Sequence, residues 1–459
     1  MPSTAMSVLT STAPDALTVA VAGRLFSSAP VVVVAADTGK ALSAAKKAAV
    51  AAHAPLLLST ATVSAQLLTE IRHLRARDVL AVGLAAAKLS PRLPGVHVVT
   101  RAAKLPPTGA ATAQLNGVVI LVNRAATTQW AVSASTTTAE VAGAMVVTVK
   151  GYDPRADSGA IKELANDQPR AVVAIGRGFG PVSQLAARVA VAETGTQLPD
   201  GGQVLFPGHR LVALYGHPGT AALGVLGAQD LTASIKRARE VADMYRSLSK
   251  VPVVPTFEII ATVAQASPGY NGTYSYVTPA ADLLPWVHAA TKAGMYVVLD
   301  LQPGRANLLT QAKVYQSLLT LPNVGLALDS EWKLQPGQVP LHQIGTVNIS
   351  EINSVVRWLA ALTASHHLPQ KLVVLHQFRL SMIADERGLD TSNDDLSIVI
   401  HMDGQGTPGA KQSTWDAVTA AAPPGVFFGW KNFTVKDHPM IGPQATMTET
   451  PTPVMISYQ

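Results

Sequence analysis

Five acidic residues stand at comparable places in the second half of this 459-residue sequence: Glu258, Asp300, Asp329, Glu331 and Asp403. Each lies within or just past a short run rich in Val, Ile and Leu. His217, His376 and His401 occupy similar places, as do Tyr215, Gln302, Trp430 and Asn432. Carboxylates gathered in one hollow cannot all ionise freely, so at least one is expected to hold its proton to higher pH. A general acid beside a carboxylate base or nucleophile is the arrangement that cleaves glycosidic bonds. Glu331 is the candidate acid, with Asp329, Asp403 or Asp300 as the supporting carboxylate. Tyr215, His217, Glu258, Gln302, His376, His401, Trp430 and Asn432 are candidate substrate-binding groups, and Glu258, early in its run, could equally be a structural partner. Two other readings use the same residues. His217, Glu258, Asp300, His376 and His401 are acceptable ligands for a divalent ion, as in a phosphodiesterase or deacetylase, although no H-x-x-x-H pair fixes a site. A carbohydrate-binding barrel without turnover would also keep the pocket. The leading reading needs no cofactor and no metal.

The elements that must position these residues are eight β-rich runs: Leu211–Gly219, Phe257–Ala264, Tyr296–Gln302, Val324–Trp332, Lys371–Arg379, Ser397–Gly404, Val426–Asn432 and Val454–Gln459. Helical stretches follow most of them. Eight parallel strands within about 250 residues predict a (β/α)8 TIM barrel over 201–459, in which the active site lies at the C-terminal ends of the strands. Most runs start apolar and turn polar at that end. Strand side chains alternate faces, so Asp329 and Glu331 share a face with Gly325 and Ala327, opposite Leu326 and Leu328. The same parity groups Asp300 with Gln302, His401 with Asp403, Tyr215 with His217, and Trp430 with Asn432. Trp430 could stack on a sugar or belong to the core, and the parity of Trp332 points it outward, toward the core.

Residues 1–200 alternate apolar runs (Val31–Ala36, Pro55–Ser59, Asp78–Gly83, Val96–Thr100, Val118–Asn123, Met145–Gly151 and Ala171–Gly176) with Ala-rich helical stretches. This pattern predicts βαβ units in a mostly parallel sheet. Leu67–Ser90 and Ile161–Ser183 share one layout of helix, turn, strand and small-residue loop, which suggests a repeated unit. The boundary is expected near Gln197–Gln203. Gly176-Arg-Gly178-Phe-Gly180 lacks the spacing of a dinucleotide loop.

With 48% hydrophobic and 14% charged residues the chain is expected to be packed rather than disordered. It has no cysteine, which excludes disulfides and thiolate metal sites. The first 200 residues carry 18 Lys and Arg against 11 Asp and Glu, a net +7, and the remainder 17 against 18. A basic first half suits an anionic polymer, and no Lys/Arg run with interleaved aromatics points to nucleic acid. No apolar run reaches the roughly 20 residues of a membrane span. The opening residues lack the basic start and apolar core of a signal peptide, so an exported form would have lost its signal.

The stretch Val31–Gly83, with its strand, Ala-rich helix, Pro55-Leu-Leu-Leu-Ser59 strand, second helix and strand ending at Gly83, resembles cell wall-binding repeats of type 2. The resemblance extends over roughly residues 15–200. It departs where Asp37–Leu42 replaces the usual helix start and where the second copy is degenerate. It implies a protein of the cell surface or wall, attached non-covalently to an anionic wall polymer. Asp329-Ser330-Glu331 resembles the D-x-E motif ending the fourth strand of chitinase-like family 18 and lysozyme-like family 25 glycosidases. That resemblance implies Glu331 as proton donor and Asp329 as the group orienting the reaction. The fuller motif is absent, with Val324 and Ala327 at the earlier positions. No carboxylate ends the seventh run, which puts in doubt the double displacement of many glycosidase barrels. Leu214–Gly219, Leu299–Arg305, Leu375–Ile383, His401–Thr407 and Gly429–Phe433 resemble an uncharacterised actinobacterial barrel family, which supplies no activity.

Overall fold

A computed structural model describes residues 4–84, 86–105, 115–127 and 129–459. Ala85, within the Leu67–Ser90 stretch, lies outside the described residues. The chain divides into two compact units, Met1–Gly195 and Thr196–Gln459.

The first unit contains strands β1 (Met6–Leu9), β2 (Val31–Ala36), β3 (Leu56–Ser59), β4 (Asp78–Val82), β5 (His97–Val99), β6 (Val118–Asn123), β7 (Met145–Val149) and β8 (Ala171–Ile175). They form two four-stranded parallel sheets, ordered β3-β2-β4-β5 and β7-β6-β8-β1. The continuous Val/Ala/Leu runs are buried on both faces, as parallel strands covered by helices must be. β1 was not foreseen from the sequence. It is four residues long and half-buried, too short to show a period, and it extends the second sheet beside β8.

In the second unit eight parallel strands close on themselves: Arg210–Gly216, Val253–Ala264, Tyr296–Leu301, Val324–Asp329, Lys371–Gln377, Leu396–Met402, Phe427–Asn432 and Met455–Tyr458. The eighth pairs with the first and the first with the second, which completes a TIM-barrel-like ring. A short antiparallel strand, Ser275–Val277, hangs on the end of the second.

Alternation sorts each strand into two layers. Leu214, Ile259, Leu299, Leu326, Leu328, Leu375 and Ile456 pack outward in the core shared with the helices. Leu211, Ala213, Val254, Tyr296, Val298, Ala327, Val374, Val399 and Met455 pack inward. Leu198, Leu205 and Phe206, from the segment before the first strand, join this inner cluster, and Gln203 accepts from the Gln370 backbone N–H at 2.8 Å. One end of the barrel is thus plugged with hydrocarbon, and the inward positions turn polar toward the other.

The plug yields a stability prediction. Phe206 is buried, 5.3 Å ring to ring from Phe427, far along the strands from the polar end. Phe206→Ala should lower barrel stability by about 3–5 kcal/mol, read as a reduced denaturant midpoint. A change below about 1 kcal/mol would show that the plug is not part of the cooperative core.

Candidate active site

Continuing the inward parity past the apolar layers brings Tyr215, Glu258, Asp300, Asp329, His376, His401, Asp403, Lys431 and Ser457 to one buried basin. His376 is central. Its Nε2 is 3.0 Å from Glu258 Oε1 and 3.8 Å from Asp300 Oδ1. Its Nδ1 is 3.3 Å from Asp403 Oδ2, an ion-pair contact. Burial alone would discharge this ring, but the carboxylates outweigh it and hold His376 protonated well above its ordinary range. Among the described residues no three His, Asp or Glu side chains are placed to hold a metal ion together. His217, the other outlying member of the proposed ligand set, sits beyond the first strand with Nε2 3.3 Å from Thr278 Oγ1. This geometry does not favour the metal reading.

The remaining groups are held by specific partners. The Tyr215 hydroxyl donates to Asp300 Oδ2 at 2.9 Å and accepts from Gln302 Nε2 at 3.3 Å. Lys431 Nζ lies 3.4 Å from the centroid of the Tyr215 ring, a buried cation on an aromatic face. His401 Nε2 is 2.7 Å from Ser457 Oγ, and burial lowers its pKa to about 4, so the ring is neutral at pH 7.

The carboxyls are pushed in opposite directions. Burial works to raise all of them. For Glu258 and Asp403 it is outweighed by the positive charges of His376 and Lys431, and both are held below the usual range. For Asp300 it prevails and the pKa rises to about 6. Asp329 is raised well above the usual range by burial and by the charges of Asp300, Glu331 and Asp403. Glu331, in the single turn Ser330–Trp332 that ends the fourth strand, is raised to about 7 by burial and by Asp403, against Lys431 and Lys436.

Glu258, Asp300, Asp329 and Asp403 each keep one buried oxygen that makes no hydrogen bond within the protein, and His401 Nδ1 is in the same position. Buried polar atoms without a protein partner are uncommon, and here they gather at one end of the barrel.

The seventh strand corrects the sequence reading. Trp430 and Asn432 do share a face, but it is the outer one. Trp430 packs at 5.4 Å on Trp415 of the flanking helix Pro408–Ala421 and donates from Nε1 to Asn432 Oδ1 at 3.0 Å. Neither residue lines the basin. The inward positions are Gly429 and Lys431. A Cβ at Gly429 would lie 2.4 Å from His401 Nδ1, so only glycine leaves room for that imidazole. Lys431 and Ser457 were missed from sequence. Their signal was parity with Gly429 and Met455, overridden by the habit of placing Lys outside and Trp inside. Trp332 moves the other way: it is half-buried and, with Glu331, lines a cleft of about 360 Å³ at the mouth.

No family model matches the sequence, and none of the curated proteins compared with it is similar. A solved structure, Cwp6 from Clostridium difficile, aligns over 83% of this chain and 64% of its own at 13% identity, with a TM-score of 0.20, a likeness too low to assign a fold.

Asp329 makes the site's electrostatics testable through stability. Its folded pKa is raised above the unfolded value of about 3.9. Its favourable protonated state is fully present below that unfolded value, and stability is lost as pH rises toward the folded one. Asp329→Asn, which mimics the protonated acid, should therefore raise the melting temperature at pH 8 and leave it nearly unchanged at pH 3.5. Equal shifts at both pH values would contradict the assignment.

Proposed function

We propose that the barrel is a glycoside hydrolase acting on a surface polysaccharide or peptidoglycan-type glycan, with Glu331 as general acid and Asp403 as its ionised partner. The observation that carries this reading is the opposite displacement of two carboxyls acting on one another: Glu331 rises to about 7 while Asp403 is held below the usual range. Environments that push paired carboxyls apart in this way separate an acid from a base.

The chemistry follows from those two states. Protonated Glu331 delivers its proton to the glycosidic oxygen as the bond from that oxygen to the anomeric carbon breaks. Ionised Asp403, anchored by His376, stabilises the positive charge that develops on the sugar and can take a proton from the attacking water. Asp329, neutral at the working pH, is a hydrogen-bond donor beside Glu331 rather than a second base. Lys431 ends the inward face of the seventh strand, where a nucleophilic carboxylate would otherwise stand.

The first unit is read as the attachment module. Its resemblance to cell wall-binding repeats and the net +7 of residues 1–200 support non-covalent association with an anionic wall polymer at the cell surface. Among the described residues no helix is long and apolar enough to cross a membrane.

Release of reducing ends from purified wall glycan tests the hydrolase reading. Glu331→Gln and Asp403→Asn should each lower kcat by about 10²-fold or more, with the substrate still bound. The kcat profile of the wild type should fall on the alkaline side near pH 7, where Glu331 loses its proton, and on the acid side below pH 4. Wild-type turnover that survives Glu331→Gln removes the assignment. Glycan binding without any turnover replaces it with a binding barrel.

A further inference from the structure

The cleft that opens beside Glu331 carries a feature that acid–base chemistry does not use. Its lining includes Glu331, Trp332, Leu341, His342, Ile344 and Arg379. Its volume of about 360 Å³ falls within the range of small-ligand sites. The wall is firmly built. Gly345 donates to the Glu331 carbonyl at 2.6 Å and Thr346 to the Lys333 carbonyl at 3.2 Å. A Cβ at Gly345 would lie 2.4 Å from the Lys333 oxygen and 2.5 Å from that of Glu331, so the close approach requires glycine. Arg305 fixes the middle of the same loop through Gln338 O at 2.7 Å. Thr346 Oγ1 donates to Ser381 O at 2.9 Å, joining this loop to the one that carries Arg379. The cleft is thus tied directly to the backbone of the proposed acid.

Arg379 is exposed, and among the described residues it makes no ion pair. Its one recorded ring contact is 5.9 Å from Phe378. Glu331 is the only acidic residue among those lining the cleft. An unpaired guanidinium on the wall of a sugar-sized cleft presents a planar fork that matches a carboxylate or phosphate. Trp332 adds an aromatic wall for an apolar ring face. An anionic group brought here without a cation would be repelled as Glu331 ionises, so Arg379 also relieves the cost of placing it near the acid.

We infer that this cleft takes a sugar residue bearing a negatively charged substituent, and that Arg379 selects it. The inference rests on the carbohydrate reading of the barrel mouth and narrows its substrate class to acidic glycans.

The test uses the full chain carrying Glu331→Gln, with and without Arg379→Gln or Arg379→Lys. The probes are peptidoglycan glycan-strand fragments with free lactyl carboxylates and the same fragments methyl-esterified, with affinity measured by calorimetry. Arg379 is on the surface, so its replacement leaves the core untouched. The free acid should bind roughly tenfold tighter than the ester. Arg379→Gln should abolish that difference, Arg379→Lys should retain part of it, and 0.5 M salt should shrink it. Equal binding of acid and ester, a preference that survives Arg379→Gln, or no binding of either overturns the inference. Wild-type turnover of the two fragments is measured alongside. Equal cleavage of both leaves the hydrolase reading standing without the inference. An Arg379-dependent preference with no cleavage of either leaves the cleft as an acidic-glycan site and removes the hydrolase reading.

Discussion

The arrangement depends on one buried ion-pair chain, Glu258–His376–Asp403. A carboxylate inside a protein is expensive unless a cation or several donors meet it. Here five carboxyls converge on a barrel interior, and His376 lies within 4 Å of three of them, Glu258, Asp300 and Asp403. Its positive charge keeps Glu258 and Asp403 ionised. Burial first, and then the neighbouring negative charges, push Asp300, Asp329 and Glu331 upward. The protonated ring thus outweighs burial at Glu258 and Asp403 but not at the other three carboxyls. Lys431, resting on Tyr215, adds the second cation that the balance requires.

This polar chain is sustained by the apolar plug at the opposite end. Leu198, Leu205 and Phe206 fill the barrel behind the inner Leu, Val and Ala layer. With that end closed, the polar residues face one opening. Buried acceptors without partners are costly in a stability sense, and a barrel that concentrates several of them at one end carries the strain usual for a binding or reaction site.

How much was readable beforehand follows from side-chain period. The third, fourth and sixth barrel strands alternate large aliphatic and small or polar residues, so the inward face of Asp300, Asp329 and Asp403 could be found by parity. The seventh, Phe427–Asn432, has bulky residues on both faces and no such contrast. There the deciding fact was the space taken by His401, contributed by the neighbouring strand and invisible within the segment. Lys431 was hidden for the same reason: a buried lysine is stabilised by Tyr215 and by acidic charges lying far off in sequence. Trp332 was misplaced because the chain leaves the strand at Ser330 and turns, which breaks the period that had pointed the ring outward. In the first unit the strongly apolar runs coincide with strands β2–β8, whereas the short β1, with no period of its own to show it, is placed by pairing with β8 and by packing on the cores beside it.

The central claim is that Glu331 and Asp403 titrate on opposite sides of the ordinary carboxyl range. Carbon-detected NMR titration of the two side-chain carboxyls, assigned with Glu331→Gln and Asp403→Asn, measures this directly. The account predicts a midpoint near 7 for Glu331 and one below 3.8 for Asp403. Two midpoints close together at ordinary carboxyl values would contradict it.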